Sequence, residues 1–183
     1  MANRTGTYIA FDGLGQTDPT KSDFRYYSTL QAWAANKSID FTFVNSHDKT
    51  YAVRDSSKRA TLEARIGERL GLSKNVLMIL SSETRKSGSM LCYEIEQAVD
   101  TYGLPLIAAY TDCKTILDPS AHSDRWPSAL ATRINNGPAK VIHVAFRQSP
   151  ILAAIEQFSV HGKMPSSSLV YYSKEAHQRW GLL

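Results

Sequence analysis

Cysteine is scarce in this 183-residue chain: only Cys92 and Cys113 occur, far apart. Neither has a Cys-x-x-Cys or Cys/His ligand spacing, which argues against a disulfide framework or a structural zinc site and predicts no bound metal in a reducing compartment. Long apolar runs are missing as well. None approaches the roughly 20 residues of a membrane helix, and Met1 to Thr7 lacks the basic-then-apolar order of a secretory leader. These absences predict a cytoplasmic protein with no membrane partner. Blocks of like charge are also absent: 21 basic and 17 acidic residues are spread along the chain, for a formal net charge of +4. That pattern predicts no nucleic-acid partner, although a weak basic field suits a dinucleotide phosphate among other ligands. There is no G-x-x-x-x-G-K-[ST], no G-x-G-x-x-G opening a helix and no G-x-S-x-G, and Gly13-Leu14-Gly15 is too short to count as a phosphate fingerprint. Phosphoryl transfer and dehydrogenase chemistry lose ground accordingly.

The elements that are present alternate. Thr7 to Phe11 is a short β-rich run ending at Asp12-Gly13, and Phe24, Tyr27, Leu30 and Ala34 form an amphipathic stripe to about Asn36. Phe41 to Val44 predicts a second strand. After the polar loop Asn45 to Ser57, with Ser57 as N-cap, Leu62, Ile66 and Leu70 mark a second helix closed by Gly71. Val76 to Leu80 is a continuous apolar run, as expected of a strand covered on both faces. Leu91 to Tyr102 predicts a third helix, Leu104 to Tyr110 a fourth strand and Lys140 to Phe146 a fifth, with a short helix near Ala129 to Ile134 between them. A last helix runs from Ser149-Pro150 to about His161. Residues 164–183 read as an appended segment, a strand or short helix, so that 1–163 forms the main domain.

Strands alternating with helices imply right-handed crossovers and a flavodoxin-like α/β fold of three layers, with about five parallel strands and helices on both faces. Ligands of such sheets bind beyond the carboxyl ends of the strands. Candidates there are Asp12, able to bond a ribose or a ring amide; His47, able to contact a phosphate or base; and Arg85, able to pair with phosphate. Each has an ordinary alternative as a turn former or a solvated side chain. Glu94 lies on the third helix close to the polar strand end, but pattern alone favours a surface glutamate in a mixed helix, since Glu96 is nearby.

Several segments in order and spacing change that weighting: Tyr26-Tyr27 with Leu30 and Trp33, Phe41-Thr42-Phe43 with His47, Ser56-Ser57, Leu70 with Ser73-Lys74, Thr84-Arg85, Tyr93-Glu94-Ile95-Glu96 and Leu104-Pro105-Leu106-Ile107-Ala108. Together they resemble the bacterial TIR-like domain family, which includes the TIR proteins of Thoeris anti-phage defence. The likeness covers about residues 7–110 and fades beyond Thr111. It implies the same flavodoxin-like fold, and it implies that Glu94, which matches the glutamate such enzymes carry on the helix after the third strand, cleaves NAD. Phe11 for ring stacking, Asp12 and Ser82 for hydrogen bonding, and His47 or Arg85 for the phosphates complete the implied site. NAD is then substrate rather than cofactor, the product is a cyclic or conjugated ADP-ribose signal, and a separate effector protein responds to it; homo-oligomer formation is left open. Met90 or Tyr93 stands where the family often has tryptophan, so the packing around the glutamate departs from the pattern.

Three other readings compete. TIR-like domains also serve as non-catalytic assembly modules, and a flavodoxin-like fold alone proves no activity. A nucleoside deoxyribosyltransferase-like enzyme would also place a glutamate near a ribose. A phosphoacceptor receiver needs a cluster of acids at the first strand end, where Asp12-Gly13 supplies one.

Overall fold

In the computed structural model, residues 4–16, 18–39, 41, 43–44 and 59–183 are described. Among them, six parallel strands form one sheet: β1 (Gly6–Ala10), β2 (Phe43–Val44), β3 (Ser73–Leu80), β4 (Leu106–Tyr110), β5 (Val141–Ala145) and β6 (Val170–Tyr171). Their spatial order is β2-β1-β3-β4-β5-β6. The chain therefore leaves β1 in one direction to make β2 and crosses back to make β3, and the topological switch point lies between β1 and β3. The alternating strand and helix pattern led to this layout, and the C-terminal segment adds β6, paired with β5 through Ile142 and His143.

Each central strand buries both faces because successive side chains point to opposite sides of a sheet that is covered twice. Tyr8, Ala10, Val76, Met78, Leu80, Leu106, Ala108 and Tyr110 face one core. There they meet Ile66 and Leu70 of α2 (Arg59–Gly71), Leu91 and Ile95 of α3 (Met90–Glu96) and Leu130 and Ile134 of α4 (Ser128–Asn135). Ile9, Phe11, Leu77, Ile79, Ile107, Ala109, Ile142 and Val144 face the other. On that side pack Tyr27 and Leu30 of α1 (Phe24–Ala35) and Ile151, Ala154 and Ile155 of α5 (Gln148–Gln157).

Several boundaries differ from the sequence expectation for identifiable reasons. The third helix does not continue as α-helix to Tyr102: after Glu96 it widens into a π-turn over Gln97–Thr101, closed by the Tyr102 N–H on the Gln97 carbonyl at 3.1 Å, and Gly103 takes the left-handed conformation that ends it. The wider turn swings Tyr102 over α2, where a Cβ on Gly67 would meet its hydroxyl at 3.1 Å. Strand β3 begins three residues earlier than the apolar run, because Ser73 to Asn75 extend it: Ser73 and Asn75 pair with β1 despite their polarity. α5 stops at Gln157 rather than near His161, since Phe158 turns into the core and bridges to Lys163. The stretch between β4 and β5 holds a 3-10 segment, Pro119–Arg125, before α4, opened by the Asp118 side chain accepting from the Ser120 N–H. Finally, α6 (Lys174–Arg179) follows β6, capped by the Ser173 hydroxyl. The expected N-cap Ser57, the loop Asn45 to Ser57 and His47 lie outside the described residues.

Candidate functional site

The carboxyl ends of β1 and β3, on either side of the switch point, carry a concentration of buried polar groups. Asp12 follows β1 and has a fully buried side chain. Its carboxylate accepts from the Arg85 side chain at 2.6 to 3.1 Å, from the Arg85 backbone N–H at 2.9 Å and from the Leu14 N–H at 2.9 Å. Burial works to raise its pKa, but the bonds from Arg85 and Leu14 outweigh it and hold the carboxyl below its ordinary value. Arg85 keeps 41% of its side chain exposed. Two of the expected site residues are thus brought together as an ion pair that ties the β1 end to the loop after β3.

Glu94 lies on the opposite side of the sheet end from α1. Pattern alone favoured a surface position; instead the residue is only 4% exposed, because α3 turns it inward along with Leu91 and Ile95. Its Oε1 accepts from the hydroxyl of Tyr8, two residues before the end of β1, at 2.6 Å, while its Oε2 is buried with no partner among the described residues. Desolvation pushes the carboxyl up to about 8; the Tyr8 bond works against it, Asp12 adds to it and Arg69 of α2 opposes it. The Tyr8 hydroxyl is itself held well above its ordinary value, first by burial and then by Glu94. Ser89, the residue before α3, has a second buried oxygen without a partner among the described residues.

Other members of the expected site are placed elsewhere. Phe11 points to the α1 face by strand alternation and packs against Tyr27 and Phe24, with ring centroids 5.5 and 6.1 Å away. Ser82 is exposed. Its neighbour Ser81 takes the buried role, donating to Asp23 Oδ2 at 3.1 Å while Thr84 Oγ1 accepts the Ser81 N–H at 2.8 Å. Asp23 and Tyr8 were missed by sequence reasoning. An aspartate before a helix reads as a cap, and a tyrosine inside an apolar strand reads as core; neither carries a local mark of the contact it makes across the fold.

A cavity of about 530 Å³ at the opposite, amino end of the strands, lined by Thr5, Ile39, Lys74, Leu152 and Glu156, includes none of these groups. No helix among the described residues is long and apolar enough to cross a membrane.

A doubly wound parallel sheet, with a buried carboxyl on the helix after the third strand, defines an α/β protein of the flavodoxin-like class. The family model of the Thoeris protein ThsB TIR-like domain matches residues 8–116, more than half of the chain, and the chain belongs to that family. The match spans β1 through β4 and so includes Tyr8, Asp12, Arg85 and Glu94.

Proposed function

We propose that this protein cleaves NAD between the nicotinamide and the ribose, with Glu94 as the carboxyl that meets the reacting sugar. The observation that carries this reading is the half-satisfied state of Glu94: one oxygen is held by Tyr8 and the other, buried, has no partner among the described residues. Native proteins satisfy nearly all buried polar atoms, so an orphaned carboxyl oxygen near the strand ends of a doubly wound sheet is suited to meet a hydroxyl or a developing positive charge.

The chemistry asks for one carboxylate. The C1′–N bond breaks with its electron pair leaving on the nicotinamide nitrogen, which passes from cationic to neutral, so no general acid is required. Positive charge builds on the ribose as in glycoside hydrolysis, and the ionised Glu94 stabilises it in a site of low dielectric. The acceptor that then adds to C1′ and loses a proton is water, the adenine of the same nucleotide or another nucleophile; a cyclic or conjugated ADP-ribose made this way would serve as the signal read by a separate effector. With its pKa raised to about 8, Glu94 is largely protonated at neutral pH before substrate binds. A cationic nicotinamide ribose favours the ionised form on arrival. At 4% exposure the carboxyl is closed to a dinucleotide, so turnover requires an opening step. The loop after β3 borders the site, touching Asp23 through Ser81 and Asp12 through Arg85.

The test is chromatography of NAD incubated with the parent chain and with Glu94→Gln, with infected-cell lysate as activator. Nicotinamide release by the parent alone is expected, with kcat/KM rising as pH approaches about 8, because the free enzyme must lose the Glu94 proton. Intact NAD in all conditions, both proteins being folded, overturns the reading in favour of an assembly module.

A further inference from the structure

Asp23 presents the same anomaly as Glu94 on the other side of the strand ends. It stands in the N-cap position of α1 but does not cap: its side chain makes no bond to the helix N–H groups. The Phe24 N–H is taken by the Ser22 hydroxyl at 3.2 Å instead. Freed from the usual task of an aspartate at that place, the side chain turns to the end of β3, where Oδ2 accepts from Ser81 at 3.1 Å. Asp23 is 0% exposed, and Oδ1 has no partner among the described residues. A carboxylate buried this way costs free energy unless something supplies donors. Desolvation raises its pKa to about 6, with the Ser81 bond opposing and Asp12 adding to the rise.

The placement is specific. Asp12 acts electrostatically on both half-satisfied carboxyls. Glu94 approaches from the α3 face through Tyr8 of β1, and Asp23 from the α1 face through Ser81 after β3. The two flank the switch point, and each has one carboxyl oxygen with no partner among the described residues, an acceptor once the carboxyl is ionised. Arg85 already belongs to Asp12, and Arg25, the cation that acts on Asp23, lies 4.0 Å from Glu83 rather than bonded to Oδ1. Acceptors without donors call for a ligand rich in hydroxyl groups, and a nucleotide carries them on its riboses.

Resting on the reading of the site given above, we propose that Asp23 is a second substrate-binding carboxyl, accepting hydrogen bonds from ribose hydroxyls of the bound nucleotide. Glu94 meets the sugar whose bond breaks, and Asp23 sets the pose in which it does so.

The experiment is calorimetric binding of NAD, and of NAD analogues lacking single ribose hydroxyls, to Glu94→Gln, which binds without turnover, and to the Asp23→Asn, Glu94→Gln double variant. Asparagine keeps the size of the side chain and an acceptor for Ser81, and equal thermal midpoints check that the fold is kept. Loss of a hydrogen bond to a charged group predicts NAD binding weakened about tenfold to a hundredfold by Asp23→Asn. One deoxy analogue should lose that difference, binding both proteins alike. Equal NAD affinities overturn the role of Asp23 and leave the NAD reading standing. An equal loss for NAD and every analogue assigns Asp23 to structure alone and also overturns the proposal. No NAD binding by either protein or by the activated parent chain overturns both readings.

Discussion

Glu94 is stored in a state that opposes its own ionisation. Its folded pKa of about 8 lies above the ordinary 4.5, so the folded chain holds a proton that the unfolded chain releases. The contribution to stability is full below about pH 4.5 and is lost as pH rises towards 8. Glu94→Gln cannot ionise and its side-chain oxygen still accepts from Tyr8. The variant should therefore gain on the parent as pH rises from 5 to 8, by on the order of a few kcal/mol at the upper end. Thermal denaturation across that range measures the gap, and a gap independent of pH would contradict the buried, half-satisfied placement. If Glu94 acts as proposed, this loss of folding stability is the counterpart of its reactivity. From the sequence Glu94 is one of two similar glutamates; Glu96, two residues on, is half exposed and lies 3.9 Å from Arg133. Only the helix phase relative to the sheet separates them.

At the scale of elements, the region beyond β4 is held by a buried polar chain. The Trp126 indole N–H donates to the Tyr110 hydroxyl at 2.7 Å, Tyr110 bonds His143 Nδ1 at 2.8 Å, and His143 Nε2 bonds the Ser168 carbonyl at 2.9 Å. The donors and acceptors close consistently if His143 is neutral, with its proton on Nε2 and Tyr110 donating to Nδ1. Burial lowers the His143 pKa to about 4, which keeps it neutral. Tyr110→Phe orphans the indole N–H and Nδ1 together and should cost about 1–3 kcal/mol, read from denaturant midpoints. The strands and helices of this region were legible as periodic runs. The chain of bonds was not, because its members are 16 to 33 positions apart in sequence and each alone is an unremarkable core residue.

For the whole molecule, β6 and α6 decide where the core ends. Val170 and Tyr171 pair with β5, and the Ser168 carbonyl completes the His143 chain. Removing residues 164–183 would leave His143 Nε2 without its acceptor and uncover the β5 edge. We expect a truncated chain to lose several kcal/mol and to associate through that edge, seen as a lowered thermal midpoint and larger species on size-exclusion chromatography. The opposite end of the sheet holds the site proposed above. The crossover that sends the chain from β1 out to β2 and back to β3 puts the topological switch point at the strand ends, and the buried carboxyls flank it.

The sequence by itself determined the α/β class, the strand and helix order and the family. These follow from hydrophobic period and turn chemistry, which act over a few neighbouring residues, and from motifs whose order survives in the linear chain. The tertiary structure alone decided that Glu94 is buried against Tyr8, that Asp12 and Arg85 neutralise one another, that Asp23 turns from its helix to Ser81, and that the C-terminal segment joins the sheet. Each is a contact between groups far apart in sequence, made when parallel strands are brought into register, and a local pattern carries no record of which distant side chain will satisfy a buried polar atom.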